Sequence, residues 1–169
     1  MSSHVPSQSP WIDSDAFRQT CAKFAAGVTI TTVQGKGETP YGITVNSFTS
    51  VSCVPPLVLV CIDYCSSILP HFRTASYFGV NVLHESQQEF SVRFSQRELD
   101  RFEGVDWRFG IHGVPLIEGV IAQLECAVTQ IVEAGDHAIF LGEVVDARFW
   151  PGPPLLYFGS DYARCVPGG

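Results

Sequence analysis

Short apolar and β-branched runs, separated by turn residues instead of helix-length segments, dominate this chain and restrict it to a mainly β architecture. Residues 28–33 (VTITTV) are β-branched throughout, and 57–62 (LVLVCI) form a strand-sized apolar run. Segments 77–83, 122–132, 137–149 and 155–158 read as further strands. Residues 34–38 (QGKGE), Gly135-Asp136 and 151–154 read as turns. QGKGE lacks the glycine spacing and the following helix of a phosphate-binding loop, so it is a hairpin turn. Two or three short helices are expected. Ser14 caps the first, which sets Phe17, Cys21, Phe24 and Ala25 on one face and ends at Gly27. The second spans 66–74, and the third opens at a capping box, Ser86 to Glu89, and runs to about Phe94. About six or seven strands joined by turns predict an antiparallel β-barrel with peripheral helices, not a doubly wound sheet. There is no internal repeat and no sign of a second domain.

Segment 42–52 (GITVNSFTSVS), running into Pro55-Pro56, departs from ordinary strand patterning. Read as one strand, it sets Thr44, Asn46, Ser50 and Ser52 on one face with Phe48, and Val45, Ser47, Thr49 and Val51 on the other. Buried hydroxyl and amide groups need partners, because an unpaired donor or acceptor is costly. Water, another chain or an oxygen-rich ligand such as a phosphate would serve. Residues 122–132 alternate more simply, with Leu124, Cys126 and Val128 opposite Gln123, Glu125 and Thr129. Residues 97–113 read as a charged loop carrying Trp107.

The 169 residues are 46% hydrophobic and only 16% charged, a lean surface that predicts an oligomer. A net charge of −7, with no Lys/Arg cluster, argues against nucleic acid or an anionic membrane as partner. No apolar run is long enough to span a membrane, and residues 1–11 (MSSHVPSQSPW) lack the layout of a signal peptide. Residues 1–12 are read as a flexible leader, 13–166 as one domain and 167–169 as a tail, with the protein in the cytoplasm. The six cysteines form no CxxC pair and are expected to be reduced, in or near the core. The histidines lack metal-site spacing, so no metal is expected.

Segment 42–52 with the following PPLVLVC (55–61), and residues 135–144 (GDHAIFLGEV), together resemble the short-chain flavin reductases. Residues 24–29 (FAAGVT), 78–83 (FGVNVL) and the Phe102 to Trp107 loop extend the resemblance over nearly the whole chain. That family has the FMN-binding split-barrel fold and supplies the small components of two-component flavin-dependent monooxygenases. The resemblance implies a homodimer with a flavin groove near the dimer interface. It implies FMN or FAD as flavin and NADH or NADPH as hydride donor. The segment around Thr44, Val45, Asn46, Ser47, Ser50, Val51 and Ser52 would line the flavin, with Cys61 beside it. Ser66 and Ser67 would lie near the phosphate end. His137 would stand on the nicotinamide side.

Hydride transfer between such cofactors needs no protein nucleophile; the protein aligns the rings and excludes water. A site of Ser, Thr, Asn and main-chain amides suits that task. His137 is either an idle hairpin residue or a group that orients the nicotinamide or supplies a proton. Asp136 shapes the turn. Arg93 and Phe94 are either a solvated arginine and a core phenylalanine or a cover over the cofactor. Asn81, inside an apolar strand, either bonds the main chain or contacts flavin. The expected activity is NAD(P)H:flavin oxidoreduction, with reduced flavin passed to a separate monooxygenase. The alternatives are an FMN carrier that does not use NAD(P)H and a split-barrel enzyme of different chemistry.

Overall fold

The computed structural model describes residues 12–97 and 100–165. Helix α1 (Ser14–Cys21) is capped by Asp13, whose carboxylate accepts the amides of Asp15 and Ala16 at 3.0 Å. Ser14, the expected cap, is the first helical residue. The helix buries no side chain, Phe17 and Phe24 are exposed, and Gly27 belongs to strand β1 (Ala26–Gly27) instead of ending the helix.

Strands β2 (Thr29–Gln34) and β3 (Pro40–Val45) form the predicted hairpin, turning through a short 3-10 segment in which Gly37 adopts φ 65°. The chain then continues as β4 (Thr49–Cys53), β5 (Pro56–Asp63), α2 (Leu69–Thr74) and β6 (Tyr77–Val82). Helix α3 (Gln88–Ser95) and the short strands β7 (Trp107–Phe109) and β8 (Pro115–Ile117) follow. The long hairpin of β9 (Ala122–Ala134) and β10 (His137–Phe149) turns at Gly135-Asp136, before β11 (Leu155–Phe158) and β12 (Asp161–Arg164). The strands β1, β7, β8 and β12 go beyond the expected number because each is too short to show a pattern of its own.

One seven-stranded sheet, in the order β3-β2-β6-β9-β10-β5-β4, is antiparallel throughout. Segment 42–52 is therefore two strands at opposite edges, and the facing pattern expected of a single strand does not hold. Only residues 46–48 join the two edges. Laid flat, seven strands would separate them by six spacings of ~4.8 Å, roughly 29 Å. The step from Val45 to Thr49 spans at most about 14 Å of extended chain. The sheet must curl until its edges meet at residues 46–48, as a barrel split between β3 and β4.

Val58, Val60 and Ile62 of β5 point inward with Phe78, Val80, Phe140 and Phe72. A second cluster joins Ile30, Leu83, Phe94, Phe102, Ile117 and Leu155. The outer face of β5 and β10 stays half-exposed at Leu57, Leu59, Cys61, Ile139 and Leu141. Gln123 and Glu125 are buried, although they lie opposite Leu124 and Cys126, because the β7–β8 segment covers the first half of β9. Glu125 accepts the amides of Ile111 and His112 at 2.8 and 2.7 Å, and Gln123 donates to the Ile117 carbonyl at 2.6 Å.

The capping box before α3 sits two residues earlier than expected. His84 Nδ1 accepts the Ser86 amide at 3.1 Å while Gln87 accepts the His84 amide at 3.0 Å. All six cysteines are free, but only Cys126 is in the core; Cys21, Cys53, Cys65 and Cys165 are exposed and Cys61 is half-buried. Burial pushes the Cys126 thiol up to about 12.

Candidate functional site

The hydroxyl-rich segment divides into groups already held by the protein and groups left open. At the end of β3 the Thr44 hydroxyl donates to the Ser91 carbonyl at 2.7 Å, and the Ser91 hydroxyl meets the Tyr162 hydroxyl at 2.8 Å. Ser47 accepts the Cys61 amide at 2.9 Å and donates to the Cys61 carbonyl at 3.2 Å. One side chain thus replaces a missing ladder partner and fastens residues 46–48 to β5. Ser52 accepts the Val54 amide at 3.2 Å. Asn46 and Ser50 are exposed, and among the described residues their side chains have no hydrogen-bond partner. Val45 is buried, whereas Val51 is exposed. A bulge between Ser50 and Ser52 breaks the alternation of β4.

A cavity of about 240 Å³ opens beside Thr44, Val45 and Asn46. Its far wall is Ser91 and Ser95 from α3 with Tyr157 and Tyr162 from the β11–β12 hairpin. The sequence reading missed these four. The serines are four residues apart and so share one helix face, which was a usable signal. The tyrosines were not, because the hairpin's last strand could not be seen. Two expected cover residues do not reach the cavity. Phe94 has no exposed surface and packs edge-on to Phe102, 4.9 Å between ring centroids. Arg93 donates to the Glu103 carbonyl on the other side of the helix. Asn81 is also fully buried; its amide donates to the Ile30 carbonyl at 3.1 Å and its oxygen accepts the Ile117 amide at 2.8 Å. It links β2, β6 and β8 and has no open group for a ligand.

Across the sheet, Cys61 pairs with Ile139, and Asp63 pairs with His137. Directly opposed residues share a face, so Cys61, fastened by Ser47, lies on the same outer face as His137, one strand over. Burial, partly offset by the Ser47 hydroxyl, pushes the Cys61 thiol up. His137 Nδ1 lies 2.6 Å from the Asp136 carboxylate, and the histidine holds that carboxyl below its usual range. Donation from Nδ1 to Asp136 leaves Nε2 for a ligand.

The hairpin that carries His137 is braced from two sides. The Tyr64 amide donates to the Asp136 carbonyl at 3.0 Å. Arg73 of α2 forks onto the Glu133 carboxylate at 2.6 and 3.0 Å, and the Tyr64 hydroxyl donates to the same carboxylate. Arg73, then Tyr64, hold Glu133 down to about 2.

The Ser66 hydroxyl is enclosed and has no hydrogen-bond partner among the described residues. Ser67 is exposed and borders a second cavity of about 510 Å³. The Asp63 carboxylate accepts the Cys65 amide at 2.6 Å, so it shapes this turn. Asn46 leaves a neutral amide open beside the smaller cavity, whereas Ser50 is registered opposite the inward-facing Val58 and the Ser66 hydroxyl is enclosed beyond the end of β5. Among the described residues, no group of three or more His, Cys, Asp or Glu side chains could hold a metal ion, and no helix is long and apolar enough to cross a membrane.

Residues 21–165 match the family model described as flavin reductase like domain. The chain is 40% identical over 161 residues to an NADH-dependent FAD reductase of Streptomyces globisporus, covering 92% of this chain and 87% of the relative. It is 38% identical over 160 residues to the reductase subunit of a flavin-dependent monooxygenase of Mycobacterium tuberculosis, covering 92% of this chain and 84% of the relative. Among solved structures, an NADH:FAD oxidoreductase from Streptomyces globisporus C-1027, in complex with NAD and FAD fragments, superposes with a TM-score of 0.86. It shares 39% identity and covers 94% of this chain and 98% of its own.

Proposed function

The chain belongs to the flavin reductase like domain family, and from that membership we propose that it catalyses hydride transfer from NADH to FMN or FAD and delivers reduced flavin to a separate monooxygenase. The observation that carries this reading is the shared outer face on which Ser47 and Cys61 meet the strand of His137. When bound, the flavin supplies a hydride acceptor and the nicotinamide a hydride donor. The chain's own work is alignment. Asn46 and Ser50 are exposed and offer free donors and acceptors to a ligand. The 46–48 connection cannot drift, because Ser47 ties it to β5. His137 Nε2 is free to hydrogen-bond the nicotinamide amide or to hold a proton beside the reacting rings, while Asp136 fixes the imidazole from the other side. Tyr157 and Tyr162 limit access of water from the barrel end.

The working form in this proposal is a homodimer in the cytoplasm. Support comes from strand β4, an edge strand exposed at four of its five residues, and from Val51, Val54 and Phe149, which a lone chain leaves in water.

The test is steady-state oxidation of NADH and NADPH with FMN, FAD or riboflavin added. Flavin-dependent oxidation, faster with NADH, is expected. Flavin binding without nucleotide oxidation would replace this reading with that of a carrier.

A further inference from the structure

The seven-stranded sheet narrows to three strands at the end that carries His137. Strand β4 pairs β5 no further than Leu59, and β6 pairs β9 no further than Ala127. Strand β10 continues between β5 and β9 to His137, which faces Asp63 on one side and Ala134 on the other. A bulge marks the start of this three-stranded tongue: Leu141 and Gly142 face Gln130 and Val128, and Thr129 is left over. A bulge bends the strand that contains it, so the tongue leaves the barrel at its own angle. Its outer edge on β9, residues 129–134, has no ladder partner besides β10 among the described residues.

The two edges of the tongue are held by side chains. On the β5 edge, Ser47 fastens Cys61. On the β9 edge, Glu133 takes the Arg73 fork and the Tyr64 hydroxyl. Helix α2 anchors Arg73 firmly, because Leu69 and Phe72 are buried in the core and the His71 ring stacks on Tyr41, with centroids 3.6 Å apart. Tyr64 ties the tongue across its width. Its amide donates to the Asp136 carbonyl, its hydroxyl reaches Glu133, and the Arg73 guanidinium lies 5.9 Å over its ring.

Arg73 and Glu133 are 39% and 56% exposed, so the pair adds little to folding stability. What it fixes is direction. The tongue runs ~20 Å from Thr129 to its tip, so a tilt of about 3° moves the tip by ~1 Å, a displacement that costs up to about 10²-fold in rate. We propose that Arg73, Glu133 and Tyr64 are positioning residues for hydride transfer: they hold the β9 edge of the tongue and thereby set the His137 imidazole against the nicotinamide. The proposal rests on the flavin-reductase reading, which puts His137 on the nicotinamide side.

The test is a double-mutant cycle between Arg73→Ala and His137→Ala, read as the rate of anaerobic flavin bleaching at saturating NADH. Arg73→Ala is expected to slow bleaching about tenfold, to keep flavin affinity within about twofold and to move Tm by no more than about 2 °C. In the His137→Ala background the same change is expected to slow bleaching by less than about twofold, since the brace acts through the imidazole. Arg73→Lys, which keeps the charge but not the fork, should recover part of the rate. Tyr64→Phe, which keeps the ring and the amide bond, should slow bleaching about threefold and serves where Arg73→Ala folds poorly. Unchanged rates in Arg73→Ala and Tyr64→Phe, equal slowing with and without His137, or a parallel loss of flavin affinity would each overturn the proposal. Hydrogen exchange separates it from the parent reading. Arg73→Ala should speed exchange of amides 129–137 and leave those of β6 unchanged. Unchanged exchange removes the brace itself, whereas a wild-type chain that reduces no flavin removes the parent reading and with it the role of the brace.

Discussion

Side chains of the same type have separate tasks here, decided by which main-chain group is left without a partner. Ser47 fills a gap in the β5 ladder, while Ser50, three residues on, faces solvent. Ser47→Ala would leave the Cys61 amide and carbonyl unserved, so denaturant unfolding should show a loss of about 1–3 kcal/mol. Ser50→Ala should stay within about 0.5 kcal/mol of wild type and show its effect in flavin affinity. At His137 the side chain, not the fold, is at stake. His137→Ala is expected to lower kcat/KM for NADH about tenfold, equivalent to about 1.4 kcal/mol, and to leave flavin affinity within twofold of wild type. Equal losses for nucleotide and flavin would contradict its place on the nicotinamide side. The presence of Gly135-Asp136-His137 was legible in the sequence because a turn is local. The His137–Asp136 contact was not, since Asp136 was read only as a turn residue.

At the scale of elements, the β9–β10 hairpin carries the histidine and is packed tightly along its middle. Gly142 on β10 has no room for a methyl: a Cβ there would lie 2.5 Å from the Phe78 ring and 2.8 Å from Cys126 Cβ. Gly142→Ala should therefore destabilise by about 1–3 kcal/mol through overpacking, read as a lower Tm.

The Arg73–Glu133–Tyr64 brace at the other end is exposed and should contribute little to stability at neutral pH. Its pH dependence has a definite sign. The Glu133 pKa is depressed in the folded chain, so its contribution is complete above the ordinary carboxylate range and fades as pH falls toward about 2. Urea titrations from neutral to acid pH should show Glu133→Gln converging on wild type as the acid limit is approached. Divergence at low pH would contradict the assignment.

Sequence pattern located these elements, since β-branched runs and turn residues act locally. It failed where a distant element decided the outcome. Segment 42–52 continues its polar pattern through the 46–48 corner, so only the pairing of its two halves with β2 and β5 reveals the break. Gln123 and Glu125 read as a solvent face until the β7–β8 segment covers them. The cap falls on His84 instead of Ser86, because its ring nitrogen accepts the Ser86 amide as a serine oxygen would.

For the whole molecule, the lean charge content points to association, and the structure shows where unpaired surface collects. Strand β4 ends the sheet, and Val51 and Val54 stand exposed beside it. Analytical ultracentrifugation should report a dimer for the wild-type chain and a shift toward monomer for Val51→Asp. A monomeric wild-type protein would remove the dimer from the account.

The curl that brings β3 and β4 together lets Ser47 fasten Cys61, which shares the outer face of His137 one strand over, and hydride transfer is the consequence proposed from it. Its most direct test is anaerobic mixing of the protein with NADH and FAD, followed through the visible absorbance of oxidised flavin. The account predicts rapid bleaching that depends on the protein and slows in His137→Ala. Flavin that stays oxidised with NADH and with NADPH, at protein concentrations that bind it, would contradict the central claim.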